Sequence, residues 1–547
     1  MDNHTTYHNP IIPGFAPDPS IVLVDGIFYL VTSSFHVFPG LPIYASRDLQ
    51  NWTHVGNALN RPEQMSLRRS STNHVPLDTG FSMVASGGLF AATIRYWRGK
   101  FYIICTNAAI DIEDISSSSL DNFIISTTDI WTGDWSDPVY IPFMGIDPSL
   151  YFDDDGRAYV QGCYMLQHGK QPTCTIKQFE VDVETGEALS ETREIWGGYA
   201  KYDTEGPHIY KRGKWYYLLA AEGGTFEHHM LSISRSENVW GPYETAPCNP
   251  ILTADGTDEY IQNTGHGELF QDSHGLWWAV LLAVRNEPTC QPLGRETFLA
   301  PVDWPEDGWP KVQQPKMKFR APVVDAGSEA TMAWPAPIPA RLADLYISEP
   351  ELRRYKLPSS EQGPFSLVPS LENMADRYGT STFIGRRQRS LESTATTSID
   401  LAHSKCKLMG GSIRAGLAVY KDHMRHAFLE YDFTTRTASC KIRNKSTQLD
   451  RVSEASMMIE ETAGMLHMMI VASSETYRFL AKVKDGENEW MELGSCGTKE
   501  LATREMTGPI FGCFATTTAP QGERGEVAFE ALVVSTGEKE KEITPRI

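Results

Sequence analysis

The stretch Ile146-DPSLYFDDDGRAYVQGC-Tyr164 decides the fold. It opens with an acid, runs through apolar residues to a polar turn at Gly156, and returns through a second apolar, aromatic run. Val, Ile, Tyr, Phe and Trp favour strands. A Gly behind Asp or a basic residue supplies the positive φ that a tight hairpin needs. The same unit recurs in Ala16-PDPSIVLVDGIFYLVTS-Ser34, Leu89-FAATIRYWRGKFYIIC-Thr106, Glu205-GPHIYKRGKWYYLLA-Ala221 and Gly265-HGELFQDSHGLWWAVLL-Ala283. Their turn glycines are Gly26, Gly99, Gly213 and Gly275. A looser hairpin follows each copy, as in Ile43-YASRDLQNWTHV-Gly56 and Ile124-ISTTDIWTGDWSD-Pro138.

Two hairpins make a four-stranded sheet, and five such sheets, about 55–75 residues apart, read as a five-bladed β-propeller. A long β-sandwich with chance similarity between hairpins is the plainer alternative, but five aligned Gly turns argue against it. From about Pro301 to Pro364 the chain is proline-rich and aperiodic, with Pro315, Pro322, Pro335, Pro337, Pro339 and Pro350. This reads as a connector on the surface. Beyond it, Ser412-IRAGLAV-Tyr420, His426-AFLEYD-Phe433, Leu466-HMMIVA-Ser473 and Val527-AFEALV-Val534 suggest a β-sandwich. The expected class is all-β: a propeller over 1–320 with a connector to about 364, then a sandwich over 365–547.

The 547 residues carry 49 Lys+Arg against 69 Asp+Glu, a formal net charge of −20. Such a chain repels phosphate backbones and anionic membranes, so neither nucleic acid nor membrane is an expected partner. No apolar run approaches the ~18–20 residues that span a bilayer. The nine cysteines show no C-x-x-C pair and read as small hydrophobes in a reducing compartment. The opening residues lack a basic and an apolar leader region, so the expected location is cytoplasmic, with export by a leaderless route left open.

Eight or nine residues before each turn glycine sit Asp18, Phe90, Asp147, Glu205 and His266. Propeller symmetry relates these slots by rotation, and the innermost strand lines the channel. The five residues should therefore meet at one end of the axis, although none of the three acids has an obvious local Lys or Arg partner. Like charges gathered out of water require at least one raised pKa. One reading is a cation site, with the acids as oxygen ligands. Another is glycoside hydrolysis, in which one carboxyl protonates the leaving oxygen, another activates water, and a third positions the acid. The local wording favours catalysis: Pro follows Asp18 and Asp147, and Gly-Pro follows Glu205, which fixes the backbone. Taken singly, each residue has a plainer role as turn acid, surface charge or structural histidine. The shared register carries the case. Phe35, Phe38 and Phe90 suit a sugar face, and Arg295 is either a hydroxyl donor or the surface partner of Glu296.

The segments Asn9-PIIPGFAPDP-Ser20, Ser33-SFHVFP-Gly40, Ile146-DPSL-Tyr151, Thr204-EGPHI-Tyr210, Gly265-HGE-Leu269 and Leu293-GRE-Thr297 resemble glycoside hydrolase family 43. The two-domain β-xylosidases and α-L-arabinofuranosidases are the nearest in pattern, and Phe383-IGRR-Gln388 and Ala415-GLAV-Tyr420 extend the likeness into the second domain. The resemblance implies an inverting exo-glycosidase that removes terminal pentoses from arabinoxylan or xylo-oligosaccharides. It implies that Asp18 is the general base and Glu205 the general acid, with Asp147 orienting Glu205 and tuning its pKa. Phe35, Phe90, Arg295 and His266 would bind substrate. No cofactor is required; His266 matches a histidine that can hold, through water, a structural calcium in the channel. A non-catalytic carbohydrate-binding propeller is the alternative. The stretch Gly87-GLFA-Ala92 departs from the Gly-Gly-Ile-Trp-Ala-Pro of many xylosidases, and Met506-TGP-Ile510 replaces a Phe-Thr-Gly-Ala-Phe stretch. With Gly40-LPIYASRD-Leu49 and Asn57-ALNRPEQMS-Leu67, the pattern leans to arabinofuranosidases that act on branched arabinoxylan.

Overall fold

The computed structural model describes residues 4–76, 82–167, 170–324, 333–406, 411–483, 489–502, 506–519 and 525–537. Five antiparallel sheets, each following a four-strand path, succeed one another between Ser20 and Val312. Their first strands are Ser20–Val24, Thr93–Trp97, Ile146–Phe152, Glu205–Arg212 and Ile261–Gln271. Each of these packs on the next, and the fifth returns to the first, which closes a five-bladed ring. The turn glycines Gly26, Gly99, Gly156, Gly213 and Gly275 all have positive φ, from 57° to 88°. A side chain there would force the strained left-handed region that glycine enters freely.

Large side chains fill the spaces between blades. Tyr217, Leu219, Leu281 and Phe298 join the fourth blade to the fifth, while Tyr102, Ile104, Val160 and Phe179 join the second to the third. His4–His8 pairs with Lys318–Pro322, which ties the start of the propeller to its end.

The second unit stacks two sheets. One carries Phe383–Arg387, Ile510–Thr517, Ile413–Asp422, Arg425–Asp432, Thr437–Asn444 and Leu449–Met458 in that spatial order. The other centres on Ser393–Lys405, Met465–Ala472 and Thr476–Val483. Burial alternates strictly along Thr437–Asn444 and Met465–Ala472, as expected of strands with one face in a core. Leu417, Leu429 and Ile442 thereby meet Met468, Ile470 and Phe479 in one apolar cluster.

The connector is shorter than the proline content suggests. The fifth blade continues through Glu296–Asp303 and Lys311–Val312, and the sandwich sheet already includes Tyr355–Lys356. Pro301 sits within a strand because its carbonyl, which proline retains, accepts from the Gln313 N–H at 3.0 Å. Tyr346–Ile347 pairs with Val37–Phe38, stitching the connector to the first blade. Residues 325–332 of the connector, and 538–547 of the expected sandwich, lie outside the described residues. Among the described residues no helix is long and apolar enough to cross a membrane.

Candidate active site

The three acids and His266 meet at one end of the propeller axis, on unusual backbone. Asp18, Asp147 and His266 have φ of 55°, 53° and 31°, and Gly206, beside Glu205, has φ of 53°. Register shifts in the ladders bracket Asp147 (between Ile146 and Ser149), follow Glu205 (between Glu205 and His208) and surround His266 (between Gly265 and Gly267). A bulge re-aims a side chain, and non-glycine residues in the left-handed region persist where surrounding structure holds them. Three blades thus use one device to turn a side chain off the strand and into the axis.

His266 Nδ1 lies 3.7 Å from Asp18 Oδ1 and 3.7 Å from Asp147 Oδ2. The His266, Asp147 and Glu205 ligand atoms all fall within 4.8 Å of one another. The Gly206 N–H donates to Asp147 Oδ2 at 3.1 Å. Ser33 Oγ donates to Asp18 Oδ2 at 2.5 Å, and Arg295 Nη1 stands 3.5 Å from Asp18 Oδ1. Asp18, Asp147, His266 and Arg295 are buried, whereas Glu205 keeps part of its surface accessible.

Burial pushes all three acids towards the protonated form, and their neighbours then separate them. At Asp18 burial is outweighed by the Arg295 guanidinium, His266 and the Ser33 hydroxyl, which hold the carboxyl below its usual range. Asp147 is raised to about 6, first by burial and then by Asp18, against the opposing pull of His266 and the Gly206 N–H. Glu205 is pushed well above the ordinary carboxylate range by burial, by Asp147 and by Asp203. The neighbours thus lower the proton affinity of Asp18 and raise that of Glu205 within the same group of side chains.

Of the three aromatic residues expected to face substrate, Phe35 and Phe90 form one cluster, joined by Phe15, whereas Phe38 is buried in the apolar core against Tyr346. The Phe35 ring lies 5.2 Å from Phe90 and 5.6 Å from Phe15, and the Arg295 guanidinium carbon stands 5.5 Å from it. Phe35 is buried, with φ of 52°, and Phe90 is half-buried. Of the two readings of Arg295, the surface one fails. Arg295 is buried on Asp18, while Glu296 is bound by Arg285 at 2.8 Å. Asp18 therefore has a basic partner, not a local one but one supplied from 277 residues away.

Several residues here escaped the sequence. Thr225 Oγ1 accepts from Arg295 Nη1 at 3.1 Å. His229, fully buried, donates from Nδ1 to the Asn263 carbonyl at 3.1 Å; burial and His266 lower its pKa to about 3, so it stays neutral. From the second domain, the Met506 carbonyl accepts from Arg295 Nη2 at 3.2 Å. Gly508 lies so close to Leu293 and Phe15 that a Cβ there would meet each at 2.6 Å. The sandwich thus forms part of the wall behind Arg295.

A propeller of this kind, with sorted carboxyls beside an arginine and a ring cluster, defines a glycoside hydrolase. The profile of the glycosyl hydrolases family 43 matches residues 7–310, and that of the beta xylosidase C-terminal concanavalin A-like domain matches 357–535. The chain belongs to glycoside hydrolase family 43, as its sequence motifs implied. It is 34% identical over 532 residues to a non-reducing end alpha-L-arabinofuranosidase of Bacteroides ovatus, covering 93% of this chain and 90% of that one. It is 41% identical over 314 residues to a xylosidase/arabinosidase of Butyrivibrio fibrisolvens, covering 56% of each. Among solved structures, a xylan beta-1,4-xylosidase from Bacillus halodurans superposes with a TM-score of 0.82 at 26% identity, covering 96% of this chain and 99% of that one. Membership of this family sets aside the non-catalytic binding propeller.

Among the described residues, the layer beneath His266 does not suit a calcium ion. Calcium takes six to eight oxygen ligands. Beneath His266 the channel holds the Arg95 guanidinium and the His208 imidazole, and the one carboxylate there, Glu268, is already used at both oxygens.

Proposed function

We propose that the protein is an inverting, exo-acting hydrolase of terminal pentoses, α-L-arabinofuranosyl or β-xylosyl, on xylan- or arabinoxylan-derived saccharides. The observation that carries this is the company each acid keeps around His266: Asp18 lies on Arg295 and Ser33, which hold its carboxyl low, while Glu205 stands beside Asp147, which holds its carboxyl high. In this reading Asp18 takes a proton from a water molecule, and the resulting oxygen attacks the anomeric carbon. Glu205 gives its proton to the departing glycosidic oxygen as the C–O bond breaks from the other side. Asp147 receives the Gly206 N–H and, as a neighbouring negative charge, keeps Glu205 protonated until the transfer. The carbonyl of Met506 and the ring of Phe35 hold Arg295, whose guanidinium is placed to donate to sugar hydroxyls.

Terminal action is supported by the second domain's approach to the site, where the Met506 carbonyl holds Arg295 beside Asp18 and so adds a wall on that side of the acids. The names of the relatives, arabinofuranosidase and xylosidase, support the pentose. NMR of the first product released from arabinoxylan oligosaccharides tests sugar, linkage and anomeric configuration together. An inverted pentose released from chain ends is the expected result, and a retained configuration would refute the direct-displacement roles. Asp18→Ala and Glu205→Ala should each abolish turnover of unactivated substrates while leaving the circular dichroism spectrum unchanged.

A further inference from the structure

One layer below the acids, each innermost strand contributes one more polar residue: Ser20, Arg95, Ser149, His208 and Glu268. Ser20, Ser149 and Glu268 follow Asp18, Asp147 and His266 by two positions, and His208 follows Glu205 by three. Arg95 joins the other four. Its Nη1 lies 2.6 Å from Glu268 Oε1, and its Nη2 lies 3.1 Å from His208 Nδ1. Its Nε donates to the Leu150 carbonyl at 2.9 Å, and Nη1 also to the Ile94 carbonyl at 2.8 Å. Ser149 Oγ stands 3.1 Å from the same His208 nitrogen. The far oxygen of Glu268 accepts from Ser20 Oγ at 2.6 Å and from the Ile21 N–H at 3.1 Å, and Ser20 Oγ accepts the Ile94 N–H at 3.0 Å.

The ring closes through all five blades. A guanidinium only donates, so His208 must offer Nδ1 as a lone pair and be neutral. Burial, Arg95 and His266 all act in that direction. The layer then holds one cation and one anion. Ser20, Ser149, His208 and Glu268 are buried, so the bonds are shielded from competing water.

We propose that Arg95 is a positioning residue of the hydrolytic site. Its guanidinium does from within the chain what a bound divalent cation would do: it gathers donors and acceptors from several blades at the axis. Because each partner lies two or three residues from Asp18, Asp147, Glu205 or His266, the ring sets the depth and spacing of those four side chains. It follows that hydrolysis needs no divalent metal. This rests on the hydrolytic reading of the acids given above.

Two arms test it on the full chain. In the first, exhaustive chelation of the wild-type enzyme should leave kcat and KM unchanged, and added calcium should change neither. Activity that is lost on chelation and restored by calcium overturns the proposal. In the second, Arg95→Lys keeps the charge but cannot serve His208, Glu268 and two carbonyls at once. With a melting temperature close to the parent, its kcat on an unactivated oligosaccharide should fall about ten- to a hundredfold, with KM nearly unchanged, because misplacing reacting groups is costly. A kcat equal to the parent overturns the positioning role. Should Arg95→Lys fail to fold, the doubly neutral Arg95→Met/Glu268→Gln removes both charges and answers the same question by the same kcat comparison. An active Asp18→Ala enzyme would instead refute the hydrolytic reading, which separates the two failures.

Discussion

Replacing Asp147 by Asn tests how the proton is held on Glu205. The nearest oxygens of the two residues lie within 4.8 Å. At an effective dielectric constant of about 20, two unit charges at that distance repel by about 3.5 kcal/mol, equivalent to about 2.5 pH units. Water reaching the part-exposed Glu205 weakens this, so an acidward movement of about 1–2.5 pH units is expected for the alkaline limb of kcat/KM. The substrate should be an unactivated disaccharide, since a good leaving group needs no acid and would hide the limb. The same variant has a stability signature. Asp147 is raised from 3.8 to about 6 in the folded chain. A carboxyl raised in this way favours folding fully below about pH 4, and that contribution is lost as pH climbs through about 6, worth at most about 3 kcal/mol. Asn cannot ionise. Asp147→Asn should therefore be more stable than the parent to urea at pH 7 and lose this advantage near pH 3.5. An alkaline limb within about 0.3 pH unit of the parent would refute the claim that Asp147 tunes Glu205.

Arg295→Met removes the cation nearest Asp18, so the acid limb should move to higher pH by about 1–3 units, read from kcat/KM profiles; an unmoved limb would deny Asp18 the role of base. Gly206→Ala places a Cβ 2.9–3.1 Å from His266 ring atoms on backbone with φ of 53°. We expect kcat about tenfold or more lower, with the fold retained by circular dichroism; turnover within twofold of the parent would show that the His266 position is not critical. Asp422→Ala removes the carboxylate that binds the wholly buried Arg425 and should cost about 3–5 kcal/mol in urea denaturation. A loss under about 1 kcal/mol would show that other partners already satisfy Arg425.

The propeller was legible because blade structure repeats in sequence: an acid or equivalent, a strand, a glycine turn, an aromatic strand. Rotation then placed Asp18, Asp147, Glu205 and His266 together without any contact being known. The connector was misjudged because proline reports only a missing N–H, and Pro301 sits where only its carbonyl is needed. The partner of Asp18 was invisible for a different reason. Arg295 lies at the far end of the propeller chain, and the ring must close before the two can meet. The sandwich contribution was marked only by the resemblance, in which Met506–Ile510 replaces an aromatic stretch of xylosidases; the group that binds Arg295 is the Met506 backbone carbonyl, which no side chain reveals. Arg95 falls five residues after its blade's slot, not two, so the offset that marks Ser20, Ser149 and Glu268 passes over it.

Burial would drive Asp18, Asp147 and Glu205 in the same direction, so it cannot by itself tell an acid from a base. What differs is the company on each side of the hollow. Asp18 faces a guanidinium and a hydroxyl, one fixed by the Met506 carbonyl and the other by the first hairpin. Glu205 faces Asp147 and Asp203 and has no cation among the influences that move its proton affinity most. Asp147 stands between them, sharing His266 with Asp18 and repelling Glu205. A single arginine on one side and an extra acid on the other are enough to sort chemically alike groups into opposite roles. The sorting therefore depends on the relative placement of blades one, three and four to within a bond length, which is why a rigid layer of hydrogen bonds directly beneath them matters to the reaction as well as to the fold.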